Sequence, residues 1–138
     1  MKRAPDFVIG PRDNPYLLRW WIIPRNRFFN IYLHCILADD DDRALHDHPF
    51  DNVSVLLKGS YREHLKGGLS KIVRRFRPRF RRAECAHRLE VVDGPVWSLF
   101  ITGPRRREWY FHCPQGLVVW TDFVDARDTG KVGKGCGE

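Results

Sequence analysis

The sequence predicts an all-β protein with little helix, and three observations support this fold class. Short runs rich in β-branched and aromatic residues follow one another along the chain, as expected for strands. Glycine or proline stands at nearly every junction between these runs, which indicates turns. No long stretch shows the i, i+3, i+4, i+7 apolar spacing of an amphipathic helix. Many short strands at close spacing are typical of a β-sandwich or barrel.

The strands can be placed in chain order from these runs. The run YLLRWWII at 16–23 is apolar on both faces and ends at Pro24, which cannot continue a strand ladder. The run at 28–38 leads into the acidic loop DDDDR at 39–43. The apolar run 53–59 ends at Gly59. Further strands are predicted at 60–65, 71–77, 87–92, 96–103, 107–112 and 117–121, with the turn signals KGG, DGP, GP and CPQG between them.

The length of 138 residues predicts one domain. We expect an N-terminal arm over 1–15, a barrel over 16–126 and a flexible, glycine-rich tail over 127–138. Hydrophobic residues make up 43% and aromatic residues 13% of the chain, which suffices for a core and argues against disorder.

Cysteine usage and hydropathy indicate the compartment. No apolar run approaches the ~20 residues that span a bilayer, and the start MKRAPDFVIGP lacks the apolar core of a signal peptide. The four cysteines form no C-x-x-C pair, so we expect free thiols in a reducing cytoplasm.

The stretch HDHP carries the first chemical signal. His46 and His48 are two residues apart and lead into an apolar run. On an extended chain such residues point to the same face, so two imidazoles could aim at one point, as a metal site requires. Asp47 and Asp51 should then point away from that face.

These residues resemble the first motif of the cupin family, which runs Gly, five residues, His-x-His, three or four residues, Glu, six residues, Gly. Asn52 stands where the family usually has glutamate, Gly59 ends the motif, and Asp40 replaces its opening glycine. Within RRAECAHRLEV, His87 resembles the histidine of the second cupin motif, although Arg82, Glu84 and Val91 replace its other residues. The run from HDHP through HRLE to WSLFITGPR also resembles small single-domain bacterial and phage cupins.

The resemblance implies a jelly-roll barrel with His46, His48 and His87 around one divalent transition metal, with iron, nickel or zinc as candidates. Asn52 would be a weak fourth ligand, since a neutral carbonyl replaces a carboxylate. The alternative is a barrel that binds no metal and whose histidines are structural. The other histidines lack motif spacing and are interpreted as structural: His34, His64 and His112.

Two further segments supply candidate functional residues. Arg107 and Trp109 share one strand face in TGPRRREWYFHCP, where an arginine beside rings could clamp a carboxylate or phosphate of a substrate. The alternative is a solvated basic turn. Tyr61 and Glu63 share a face after Gly59 and are candidate acid–base residues, unless that face points outward.

The run RRFRPRFRR at 74–82 has six arginines in nine residues. Phe76, Pro78 and Phe80 alternate with Arg77, Arg79 and Arg81, so one face is apolar and the other basic. We interpret this as an edge strand whose arginines are exposed. Contact with single-stranded nucleic acid is the alternative, which the net charge of +7 permits.

Three function classes follow. The first is a metal-dependent cupin enzyme, of oxygenase or isomerase type, acting on a small anionic molecule. The second is a non-catalytic cupin that binds such a ligand. The third is a basic, phage-associated protein that contacts nucleic acid. The doubly apolar run 16–23 predicts a homodimer, unless the run covers its own barrel.

Overall fold

The strands form one curled antiparallel sheet around an interior cavity. The computed structural model describes residues 2–40, 44–127 and 132–137. Helix is limited in these residues to a 3₁₀ turn, Lys66–Gly68, and one α-helical turn, α1 (Trp120–Phe123). The described strands are β1 (Phe7–Ile9), β2 (Leu17–Trp21), β3 (Asn30–Ile36), β4 (Leu45–His46), β5 (Asn52–Leu65), β6 (Ser70–Val73), β7 (Arg79–Arg81), β8 (His87–Thr102), β9 (Tyr110–Cys113) and β10 (Gly116–Val119). The all-β prediction with little helix is confirmed.

The long strand β8 organises the sheet. It pairs with β3 through Val96 to Thr102 and with β5 along most of its length. At its start it pairs with β4, where His87 lies opposite His46. The order β1-β2-β3-β8-β4-β9-β10 follows, with β6 and β7 attached to β5. The pairing of β4 with β8 therefore brings the two cupin-like motifs of the sequence together.

Two predicted junctions are wrong, because β5 and β8 each continue where the sequence suggested a break. β5 runs through Gly59, and β8 runs through the DGP segment at 93–95. Gly59 sits among register shifts of the β5–β8 pair and has a φ of +79°. A Cβ there would lie 2.4 Å from the carbonyl oxygen of Asp93. Only glycine fits this bulge, which bends the strands without ending them.

The apolar strand β2 is covered within the chain itself. β1 pairs along its outer side, with Val8 opposite Leu18. Trp20 is buried, stacks on Trp97 with 5.5 Å between ring centroids, and donates its indole N–H to the carbonyl of Arg3. The N-terminal segment thus closes one side of the sheet. The homodimer stays a prediction.

Part of the basic run has the opposite orientation to the one expected: Arg79 and Arg81 point inward, whereas Arg77 is exposed as predicted. Arg81 is 4% exposed, whereas Phe76 and Phe80 are 68% and 61% exposed. The physical reason is Glu63 on β5, which is fully buried and forms ion pairs with Arg79 and Arg81. A buried carboxylate without a cation costs more than two exposed rings. The nucleic-acid contact stays a prediction.

The cysteine prediction is wrong for one pair. Cys113 and Cys136 form a disulfide, while Cys35 and Cys85 are free. Four free thiols therefore no longer support a reducing compartment, and the cytoplasmic location stays a prediction. In the part of the chain that the structure describes, no helix combines the length and apolar character needed to cross a membrane.

The disulfide anchors part of the predicted tail. The backbone N–H groups of Gly133 and Gly135 both donate to the carbonyl of Phe123, and Val132 forms a bridge with Val124. Residues 132–137 are therefore held against α1. The prediction of a flexible tail also covered residues 128–131 and 138, which lie outside the described residues.

Candidate metal centre

The structure brings the three motif histidines together inside the barrel. His46 lies on β4, His48 follows it by two residues, and His87 begins β8. The ring centroids are 5.2 Å apart for His46 and His48, 5.0 Å for His46 and His87, and 4.9 Å for His48 and His87. One ligand nitrogen from each ring lies within 4.8 Å of the other two. We call this group the histidine triad.

Two of these imidazoles are held neutral by their surroundings. Burial lowers the pKa of His46 to about 4, although the Asp40 carboxylate opposes this. Burial also holds the pKa of His48 well below its ordinary value, and its neighbours His87 and His46 add to that effect. Neutral imidazoles offer the lone pairs that metal ions bind. The Nδ1 atom of His48 is buried and lacks a hydrogen-bond partner among the described residues.

The third imidazole is oriented by a buried carboxylate. Nδ1 of His87 donates to Oε2 of Glu63 over 3.0 Å, so Nε2 of His87 carries the free lone pair. Burial alone would raise the pKa of Glu63, but the hydrogen bond from His87 and the charge of Arg81 hold it below its usual value. A carboxylate that fixes the tautomer of a histidine is a common support for a metal ligand.

These residues fit a divalent transition metal. Three imidazole nitrogens are a known donor set for zinc, iron or nickel, and Nδ1 of His48, which has no partner among the described residues, is available to bind such an ion. A carboxylate also lies close to the triad, since Oδ2 of Asp40 is 4.0 Å from Nδ1 of His46. Asn52 is buried, and its Oδ1 has no hydrogen-bond partner among the described residues. Its part as a weak ligand stays a prediction.

A cavity of about 380 Å³ adjoins the triad. Most of its described lining is apolar or aromatic, which suits a small ligand with an apolar body. Trp109 is part of this lining, as the sequence suggested, and stacks on Trp120 with the rings 5.8 Å apart and nearly parallel. The other aromatic lining residues are Phe7, Tyr16, Phe50, Tyr61, Phe100 and Phe111.

Arg107 lies elsewhere. It is absent from the described lining of the cavity, and its guanidinium donates to Asp47 over 2.8 Å and to the carbonyl of His48 over 2.9 Å. Asp47 also accepts from the backbone N–H of Tyr110 and from His112. The Asp47 carboxylate is thus engaged by Arg107, Tyr110 and His112. It and Arg107 together hold the HDHP segment in place.

The two candidate acid–base residues occupy different positions. Tyr61 lines the cavity, accepts from Nη2 of Arg81 over 3.1 Å, and lies 3.4 Å from the hydroxyl of Ser54. Glu63 does not belong to the described lining. Its two oxygens are occupied by Arg79, Arg81 and His87.

Sequence reasoning missed three charged residues of the described cavity lining: Arg81, which was predicted to be exposed, Asp40 and Arg19. Asp40 accepts hydrogen bonds from the hydroxyl of Tyr16 and from the backbone N–H of Leu89. Arg19 on β2 donates its Nε–H to Nε2 of His34 over 2.8 Å. A signal for Arg19 was present, because it is the one charged residue in the apolar run 16–23.

His34 leads to a prediction about pH. Burial and the adjacent Arg19 cation hold its pKa well below the ordinary value near 6.5. The unfolded chain therefore binds a proton below that pH while the folded chain does not, so stability is complete above pH 6.5 and decreases as the pH falls. We expect His34 to lower the free energy of unfolding progressively as the pH falls below 6.5.

Urea unfolding of the EDTA-treated protein at several pH values measures this loss. His46 and His48 contribute in the same direction, so the wild type is compared with His34→Gln. The variant should show the shallower pH dependence. Equal slopes for the two proteins would contradict the prediction.

Comparisons with known proteins support the fold. No protein-family model matches the sequence, and no curated protein matches it. Among solved structures, the DMSP lyase DddQ from Ruegeria pomeroyi DSS-3 is 14% identical with a TM-score of 0.58, over 83% of this chain and 61% of the lyase. A cupin-like protein from Thermotoga maritima is 10% identical with a TM-score of 0.52, over 75% and 80% of the two chains. The FeII form of HppE is 18% identical with a TM-score of 0.54, over 75% and 59%.

These values bear on the fold and not on the reaction. The chain spans about three fifths of the length of the DMSP lyase and of HppE. Because the sequence identities to these structures are only 10–18%, the reaction of each neighbour is not assigned to this chain.

Proposed function

We propose that this protein, which has the cupin fold, binds one divalent transition metal through His46, His48 and His87 and acts as a metal-dependent enzyme on a small molecule in the adjoining cavity. The observation that carries the proposal is the convergence of the histidine triad, with its ligand nitrogens within 4.8 Å of one another. One structural neighbour is solved in its FeII form and another is a lyase, which supports metal binding and enzymatic reaction as possibilities for this fold.

A divalent ion held by the triad would supply Lewis-acid or redox chemistry to an oxygen of the bound molecule. The residues of the chain would do the rest. The stacked rings of Trp109 and Trp120 form an apolar wall that excludes water and orients the ligand. Oxygenase-type and isomerase-type reactions are both compatible with this arrangement.

Tyr61 is the acid–base residue in this proposal. Arg81 donates to its phenolic oxygen, so the proton of Tyr61 is directed to Ser54 or into the cavity. Glu63 takes a different role from the one first considered. Because its oxygens are occupied, it serves as a positioning residue that fixes the tautomer of His87.

Elemental analysis of protein purified without a His-tag tests the proposal. We expect close to one equivalent of iron, nickel or zinc per chain, or the uptake of one equivalent after treatment with EDTA and reloading. Acidification should release the metal because protons compete for the imidazole lone pairs. A protein that takes up none of the three metals at neutral pH would refute the proposed function.

A further inference from the structure

One cation in the cavity lining, Arg19, has no acidic partner among the residues that the structure describes. Arg19 donates to His34, and its guanidinium carbon lies 4.5 Å from the centroid of the Tyr32 ring. In the chain segments described by the structure, the guanidinium forms no ion pair. Burial lowers the pKa of Arg19 because the charged form loses hydration. Such a group is stabilised by an anion that enters the cavity with it.

The other charged groups of the lining are already matched. Arg81 is paired with Glu63, and Asp47 is paired with Arg107. Asp40 accepts two hydrogen bonds from protein donors. Arg19 therefore leaves a single positive charge in the described lining without a counter-charge.

The hydrogen bond from Arg19 to His34 positions the guanidinium and leaves part of it available to bind an anion. An arginine always donates, so Nε2 of His34 must present its lone pair and the imidazole is neutral, with its proton on Nδ1. This contact occupies Nε of Arg19. It leaves the two Nη groups, which can meet both oxygens of a carboxylate side by side.

Arg19 is connected to the histidine triad by a series of ring contacts. The ring centroids of His34 and Phe100 are 5.0 Å apart, and those of Phe100 and His48 are 6.4 Å apart. His34 and Phe100 both line the cavity. A molecule that reaches from Arg19 towards the triad therefore lies against aromatic surface, which favours an apolar body.

We propose that Arg19, supported by His34, is the anion-binding residue of this cavity and that its ligand is a small molecule with one carboxylate and an apolar body. One unmatched cation suits a monoanion better than a phosphate dianion. This inference deepens the proposed function and rests on it, because it names the substrate class of the same cavity. It replaces Arg107 as the predicted anion clamp.

Calorimetric titration with three probes tests the proposal: benzoate, its neutral analogue benzamide, and phenyl phosphate. EDTA-treated wild-type protein should bind benzoate at least about tenfold more tightly than benzamide. Arg19→Met should remove this preference, and Arg19→Lys should retain part of it. The matched control is Arg25→Met, which removes an exposed arginine that also lies over a ring, that of Trp21. Arg25→Met should leave the preference unchanged.

Several outcomes would overturn the assignment. One is equal binding of benzoate and benzamide by the wild type, or no binding of any probe. Another is a preference that survives in Arg19→Met, whose folding is checked by its thermal unfolding midpoint. Tighter binding of phenyl phosphate would reject the carboxylate and favour a phosphate ligand.

The same titrations on zinc-loaded protein separate this inference from the proposed function. If benzoate is preferred only when zinc is bound, the anion binds at the metal and the assignment to Arg19 is wrong while the metal site stands. If the preference exists in a protein that takes up no metal, Arg19 binds the anion and the proposed function is wrong.

Discussion

Replacing His48 with alanine is expected to abolish stoichiometric metal binding while the protein stays folded. The variant removes one of three donors, and two imidazoles alone hold a divalent ion poorly. The side chain contributes little to the fold, because its Nδ1 has no hydrogen-bond partner among the described residues. The free energy of unfolding of the metal-free protein should change by no more than about 1 kcal/mol.

Zinc titration of EDTA-treated protein measures the binding, and far-UV circular dichroism reports the fold. His64→Ala is the matched control, because His64 is partly exposed and pairs with Glu90 at 2.7 Å, away from the triad. The control should keep one equivalent of zinc. Full binding by the His48 variant would show that the triad is not the metal site.

Replacing Glu63 with glutamine should destabilise the protein and weaken metal binding together. The change keeps the size of the side chain but leaves Arg81, which is 4% exposed, without its counter-charge. Breaking a buried ion pair from one side costs about 3–5 kcal/mol. The neutral amide also orients His87 less firmly, and loss of such a support lowers metal affinity by about 10–100-fold.

Urea unfolding in EDTA and zinc titration of the folded protein measure the two effects. Glu90→Gln removes an exposed carboxylate that also pairs with a histidine, and it should change neither quantity. A double variant, Glu63→Gln with Arg81→Met, should recover stability because it removes the unmatched cation, but not zinc affinity. Recovery of both would mean that Glu63 has only a structural role.

The fold class was accessible from the sequence because it depends on local patterns, and the triad was accessible because its residues resemble the cupin motifs. The period of two in a strand places His46 and His48 on one face, and the cupin-like spacing added His87 as their partner. The cupin prediction is confirmed for the fold. Gly59 marked the place where only glycine fits, although it bends β5 and does not end it.

The charged residues of the interior were not accessible in this way. Alternation shows that Arg79 and Arg81 share a face, but it does not show which face is inside. That choice depends on Glu63, which lies 16 and 18 residues away along the chain on a neighbouring strand. The carboxylate needs cations once it is buried, so the arginines face inward and the rings of Phe76 and Phe80 face solvent.

By itself, then, the sequence predicted the strand-rich fold class from the periodicity of short segments, and its resemblance to cupin motifs predicted which three histidines converge. Only the tertiary structure decided the partners of the charges: Arg107 pairs with Asp47, Glu63 pairs with Arg81, and Arg19 pairs with no carboxylate among the described residues. It also decided the bond between Cys113 and Cys136, which are 23 residues apart. Such pairings depend on strand order and on which groups lose water together, and neither is encoded within one segment.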